Sequence, residues 1–230
     1  PNANNPNTIS AQNTTLQLPL SGSAAASPTP LLGAGGPDYA FGVALNGIEF
    51  DPVAAEPWGK GTSNQTYDWV LEATTNDLGL DCNNAHVQPN GKYHYHGTPT
   101  EYMATLGLGT DMVLAGYAAD GFPIYWQYGY VDANNNTSGV RLLAPSYQLK
   151  SGDRPGDGVT APCGAYNGKY VQDYEYVAGS GDLDEYNGRT GVTPESPTTP
   201  VYYYVITEAF PGIPRDFRGT PDDSFRIGPP

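Results

Sequence analysis

The chain has 230 residues, 29 of them glycine and 22 proline, and carries a formal net charge of −14. That length fits one large domain or two small ones with a real core. The negative charge repels nucleic-acid phosphates and anionic membranes, and no run approaches the roughly 18 apolar residues needed to cross a bilayer, so neither nucleic acid nor membrane insertion is expected. Tyrosine is the dominant aromatic, with 18 copies against six phenylalanines. Runs of Ala, Leu, Glu and Lys are scarce. The expected fold class is mostly β: an antiparallel β-sandwich or distorted barrel with long loops and one or two short helices.

Residues 1–36 are rich in Asn, Ser, Pro, Ala and Gly and read as an extended N-terminal arm, with one edge strand expected at "TTLQLPL". The polar opening "PNANNPNTISAQNTT" reads as a mature terminus after processing, which points to a secreted, extracellular or periplasmic protein. Asn-x-Ser/Thr sequons stand at Asn13, Asn64, Asn135 and Asn136. Residues 37–230 form a single β domain in this reading. Its first hairpin joins Tyr39–Leu45 to Ile48–Phe50 through Asn46-Gly47, a pair that favours positive φ at both central turn positions. "QTYDWVLEA" is the next strand. Thr98-Pro99-Thr100-Glu101 predicts a capping box and a helix to about Leu106, ended by Gly107. A second hairpin runs from Met112–Tyr117 through Asp120-Gly121 to Phe122–Tyr125. "GKYVQDYEYVAG" and "VYYYVITEAF" supply further strands, while 132–164 and 179–200 read as loops. An internal repeat is also expected: "DCNNAHVQPNGKYHYHGTP" parallels "DEYNGRTGVTPESPTTPVYYYVITEAFP". In that alignment Cys82 matches Tyr186, Asn83 matches Asn187, and Tyr93–His96 match Tyr202–Val205.

All three histidines of the chain, His86, His94 and His96, fall within eleven residues. Alternate residues of a strand share a face, so His94 and His96 point one way, roughly 7 Å apart at Cβ, and Tyr93 and Tyr95 the other. The Pro89-Asn90-Gly91 turn can fold His86 back against them. Three neutral imidazoles suit zinc or copper, with a fourth position left open. The metal ion is the expected partner, zinc or copper. The bland alternative is three unrelated hydrogen-bonding histidines. Cys82 and Cys163 read as one disulfide, worth roughly 4–5 kcal/mol by loop-closure entropy. The alternative makes Cys82 a thiolate ligand four residues before His86. Asp182, Asp184, Glu185 and Asn187 miss the calcium-loop spacing, so calcium is a weak expectation and a solvated acidic turn the better one. No nucleophile elbow or phosphate-binding loop is present. Trp58, Trp126 and the tyrosines could build a carbohydrate platform, with core packing the favoured role.

Five segments together resemble the YHYH domain family of secreted proteins: "ALNG" (44–47), "CNNAHVQPNGKYHYHGTPT" (82–100), "LAGYAADGFPIY" (114–125), "LDEYNGRTGVTPESP" (183–197) and "VYYYVITEAFPGIPRDFRG" (201–219). The resemblance implies an extracellular protein under suspicion of binding metal, copper in particular, with His86, His94 and His96 as ligands. It also marks departures. Many relatives have cysteines where this chain has Tyr186 and Asp216, and a histidine-bearing second strand where it has Tyr203 or Val205. The two missing cysteines are what loss of one disulfide looks like, and any second or shared metal site is in doubt. Three functions stand open: a secreted metal binder, carrier or metal-dependent oxidoreductase; a carbohydrate- or ester-active enzyme using a His/Tyr pair or zinc-bound water; and a non-catalytic adhesive module.

Overall fold

The computed structural model describes residue 2 and residues 4–228. The protein is mostly β, with one short α-helix and three 3-10 turns among the described residues. Its centre is an eight-stranded sheet that stays open and does not close into a barrel. The strands, in chain order, are β1 (Gly42–Ala44), β2 (Glu49–Phe50), β3 (Ala85–Val87), β4 (Tyr93–Tyr95), β5 (Leu114–Ala118), β6 (Pro123–Tyr125), β7 (Gly188–Gly191) and β8 (Val201–Val205). Their order across the sheet is β7-β8-β6-β5-β1-β2-β4-β3. The pairs β2–β4 and β6–β8 are parallel and the others antiparallel.

That order is the same read from either edge when β1–β4 are exchanged for β5–β8. The register obeys the same exchange. At the centre Val43 faces Tyr117, flanked by Gly42 against Ala118 and Ala44 against Gly116. Outward, Phe50 pairs with Tyr95 as Ile124 pairs with Tyr204. At the edges His86 pairs with His94 as Arg189 pairs with Tyr203. The halves are thus two copies of one unit related by a pseudo-two-fold axis through the β1–β5 pairing. The expected repeat is real, with one correction in its loop. Asn84 and Asn187 are the matching residues. Both have positive φ, at 50° and 54°. Each closes a turn through its backbone N–H onto an aspartate carbonyl, Asn84 on Asp81 and Asn187 on Asp184, both at 3.0 Å. Asn83 matches Tyr186 instead.

The hairpins of the two halves repeat as well. Gly47 N–H donates to Ala44 O at 2.8 Å and Gly121 N–H to Ala118 O at 2.9 Å. The side chains of Asn46 and Asp120 each accept from the backbone two residues on. Only the glycine of each pair has positive φ, 84° and 85°, so the expectation of positive φ at both positions fails. The Asx hydrogen bond holds the first position in ordinary space and leaves the left-handed residue to glycine.

One core cluster runs through both halves and includes Phe41, Phe50, Tyr95, Trp126, Tyr204 and Phe217. Phe41 stacks on Phe217 at 5.3 Å, and Phe50 meets Trp126 edge-on at 6.2 Å. Trp126 is 1% exposed, so it packs the core and offers no platform to sugars. The described residues of the arm form no strand before Thr29–Pro30, and "TTLQLPL" has no strand pairing. Its proline and the spacing of its contacts account for this. The arm touches the body at intervals: Ser10 N–H on Gly91 O, Gln17 N–H on Ser224 Oγ, Ala25 N–H on Arg218 O.

The strand "QTYDWVLEA" is present as Thr66–Glu72. Two segments read as loops carry strands. Val140–Leu142 and Tyr147–Leu149 each make a two-stranded ribbon, and β7 lies within 179–200. The sequence "GRTG" has no strand pattern of its own, and β7 exists because "VYYYV" offers it an edge. The helix α1 spans Thr100–Thr105 and stops at Gly107, whose φ is 60°. Its expected capping box is absent. Thr98 Oγ1 donates to the buried Thr207 carbonyl at 3.0 Å. The free N–H of Tyr102 is taken by Asn83 Oδ1 at 2.8 Å. Cys82 and Cys163 are free, exposed thiols, so the expected disulfide is not formed. Each belongs to a separately anchored turn. Asp81 Oδ1 holds the turn of Cys82 through Asn83 N–H, while Arg154 binds the Cys163 carbonyl and is itself fixed by Asp173.

Candidate metal centre

The third copy of the Asx-Gly turn builds the site. Gln88 and Lys92 close it at 2.8 Å, Gly91 N–H donates to Gln88 O at 2.8 Å, and Asn90 Oδ1 accepts from Lys92 N–H at 3.1 Å. This short hairpin pairs β3 with β4 and sets His86 directly opposite His94. His96 follows one residue beyond β4, where its N–H donates to Asn84 O at 2.8 Å.

Strand alternation then separates the two faces. Tyr95 is buried against Phe50 and Tyr102, and its hydroxyl accepts from Asn46 Nδ2 at 2.8 Å. Tyr93 donates to Asp81 Oδ2 at 2.6 Å. On the other face the three imidazoles converge. His94 Nε2 lies 2.9 Å from His96 Nε2, which lies 3.1 Å from His86 Nε2. Ligand atoms of all three fall within 4.8 Å of one another, and Cys82 is not among them.

The protons cannot be placed to satisfy this cluster. His86 Nδ1 is 2.9 Å from the Leu78 carbonyl, which only accepts, so Nδ1 holds the proton and Nε2 presents a lone pair. His96 Nε2 must then serve two neighbours. As a donor it satisfies His86 and leaves His94 without a bond. As an acceptor it satisfies His94 and abuts the His86 lone pair. A neutral trio therefore always leaves one contact unmade. Protonation is opposed too. Burial, then the neighbouring imidazole of His86, lowers His94 to about 3. Burial, followed by His94 and His86, holds His96 well below the ordinary histidine range. The Nδ1 atoms of His94 and His96 are buried without a hydrogen-bond partner.

The cluster forms one wall of a cleft of about 660 Å³, lined also by Asp51, Gln88 and the arm residues Asn5 and Asn7. Asn5 and Asn7 reach it by donating to the Val87 carbonyl, at 2.9 and 2.8 Å. Asp51 escaped the sequence reading. It directly follows β2, whose parallel pairing with β4 sets Glu49 beside His94. The next step of that register brings Asp51 beside His96. Parallel pairing of segments this far apart leaves no mark in the sequence, so only the alternation "E-F-D" hinted at a polar face.

The carboxylates of the acidic loop are engaged within the protein, so the loop is not merely a solvated turn. Asp182 pairs with Arg141, and Asp184 Oδ1 accepts from Tyr186 N–H, Gly188 N–H and the Tyr202 hydroxyl, each at 3.0 Å. The equivalent of the histidine site in the second half holds Arg189, Tyr203 and Val205. Arg189 Nε donates to the Tyr203 hydroxyl at 2.6 Å and Arg189 Nη2 to the Tyr130 carbonyl at 2.8 Å. Val205 is fully buried.

No helix among the described residues is long and apolar enough to cross a membrane. Neither a curated protein nor a solved structure matches the chain significantly. The family model described as YHYH protein matches residues 15–219, a span that takes in both sheet halves and the histidine cluster, and the chain therefore belongs to the YHYH family.

Proposed function

We propose that the protein binds one transition-metal ion, copper or zinc, through the Nε2 atoms of His86, His94 and His96. One observation carries this reading: three converging Nε2 atoms, two of them on buried histidines, at 2.9 and 3.1 Å, with protons that cannot satisfy both contacts. A cation at their centre gives every lone pair a partner. Metal–nitrogen bonds of about 2.0–2.1 Å at tetrahedral angles place nitrogens about 3.3 Å apart, a few tenths of an ångström from the spacing present. The low proton affinity of His94 keeps it neutral and ligating at physiological pH.

The fourth side of the cluster faces the cleft, so the ion keeps a position for a small exogenous ligand, as reactive rather than purely structural sites do. This favours an exchangeable or reactive metal over an adhesive module without chemistry. The test is elemental analysis of natural protein purified without added metal, followed by titration of metal-free protein. One equivalent should bind tightly, and His94→Ala or His96→Ala should abolish tight binding while the fold survives. Histidine variants that bind as tightly as the parent would exclude the cluster as the site.

A further inference from the structure

The second half of the molecule is an internal comparison for the first. The framework is kept across the two-fold. Asp81 and Asp184 close equivalent turns, Asn84 and Asn187 hold the left-handed positions, and Tyr93 and Tyr202 donate to those aspartates. Tyr95 and Tyr204 both bond to the Asx residue of the nearest hairpin, Asn46 and Asp120. Among the positions that differ in chemistry are those of the histidine cluster, which face the cleft. His86, His94 and His96 correspond to Arg189, Tyr203 and Val205. A fourth position changes with them: the register that equates Phe50 with Ile124 equates Asp51 with Tyr125. Tyr125 turns its hydroxyl to Glu195. Where the histidines are absent, so is the carboxylate.

Asp51 also lacks a structural reason to be there. It is 5% exposed, and its Oδ1 has no hydrogen-bond partner. Its Oδ2 has only a long contact, 3.4 Å from Gln88 Nε2. Lys92 is neutralised by Glu49 at 2.5 Å, and Arg215 is engaged with Glu72 at 2.7 Å, so neither serves Asp51 as an ion-pair partner. A buried carboxylate left this way is costly unless something else uses it. It lines the same cleft as the histidines yet lies outside the set of mutually close ligand atoms.

We propose that Asp51 is the fourth functional group of the site, a carboxylate that accepts a hydrogen bond from the molecule occupying the ion's open position. This rests on the metal-binding reading above. The site so completed favours neutral ligands that donate a hydrogen bond, such as water or a hydroxyl group, and disfavours anions, which meet a negative charge.

Cobalt(II) is the probe, since its visible spectrum reports both binding and exchange of the open ligand. The parent, Asp51→Asn, Asp51→Ser and His94→Ala are titrated with cobalt, and the cobalt-loaded proteins then with azide, at a pH near 8. The two Asp51 variants should bind cobalt about 10–100-fold more weakly, as loss of an outer hydrogen-bonding partner does. They should bind azide about tenfold more tightly. A parent that takes up no cobalt, or a His94→Ala variant that binds it as the parent does, removes the ground for both readings. Cobalt binding that is lost in His94→Ala, with azide affinity in both Asp51 variants equal to the parent's, overturns the role of Asp51 alone.

Discussion

Asp51 and His94 give the metal-free protein opposed responses to pH. Burial raises Asp51 from its ordinary value to about 7 and lowers His94 to about 3. The unfolded chain takes up the histidine proton first, so that contribution to stability is lost as pH falls below about 6.5. The folded chain keeps the aspartate proton longer, so that contribution is lost as pH rises from about 4 toward 7. His96, also held low by burial, adds to the histidine side, so in the parent Asp51 offsets only part of that loss. Asp51→Asn removes the offset. Its stability without metal should fall by up to about 1.4 kcal/mol per pH unit more steeply on acidification below pH 6.5. Urea midpoints at several pH values decide this, and parallel curves for parent and variant would exclude it. The cysteines make a second case at this scale. Both are exposed and free, so alkylation of the native protein should label Cys82 and Cys163 without a reductant. A mass unchanged by the reagent would show them bonded.

Three turns of one design, Asn46-Gly47, Asn90-Gly91 and Asp120-Gly121, place the strands that matter. They were readable in the sequence because the dipeptide itself carries the conformational requirement. The glycines differ in surroundings. A Cβ on Gly47 meets nothing within 4 Å, whereas one on Gly91 falls 2.0 Å from Ser10 Oγ. Gly47→Ala should therefore cost only the left-handed conformation, about 1 kcal/mol. Gly91→Ala should cost more, displace the arm near Ser10 and weaken metal binding by disturbing the His86–His94 pairing. Thermal unfolding and metal titration of the two variants check this, and equal losses would refute it. Elements that rest on distant partners were not readable. The helix cap comes from Asn83, and Thr98 is drawn away to Thr207. The strand β7 has no pattern until β8 supplies its edge. The histidine cluster was legible because one short hairpin makes it, and Asp51 was not because a parallel pairing does.

At the scale of the whole molecule, the duplication sets a half that opens its histidines onto a cleft beside a packed one. The second half fills its site with Arg189, Tyr203, Val205 and Tyr125, all engaged or buried. Transplanting that solution should work, because the frame is shared. The double variant His86→Arg/His94→Tyr should fold, hold no metal, and lose less than about 1 kcal/mol of stability relative to the metal-free parent, since an Arg–Tyr pair replaces imidazoles that cannot all be satisfied. Circular dichroism and denaturant unfolding measure it. A variant that fails to fold would show that the two halves are not interchangeable at these positions.

The arm has a kinetic consequence. Residues 1–14 lie outside the family match, yet Asn5 and Asn7 sit at the rim of the cleft, each donating to the Val87 carbonyl, with Asn2 on Gly79 O and Ser10 on Gly91 O as the neighbouring anchors. Farther along, around Gln12, the chain is exposed and without secondary structure, the kind of segment a protease cuts. A single cut there leaves the sheet and all three imidazoles untouched and frees the rim to depart. Shelf life and proteolytic history would then set how fast an ion bound there as proposed exchanges with solution, with no change in the three histidines.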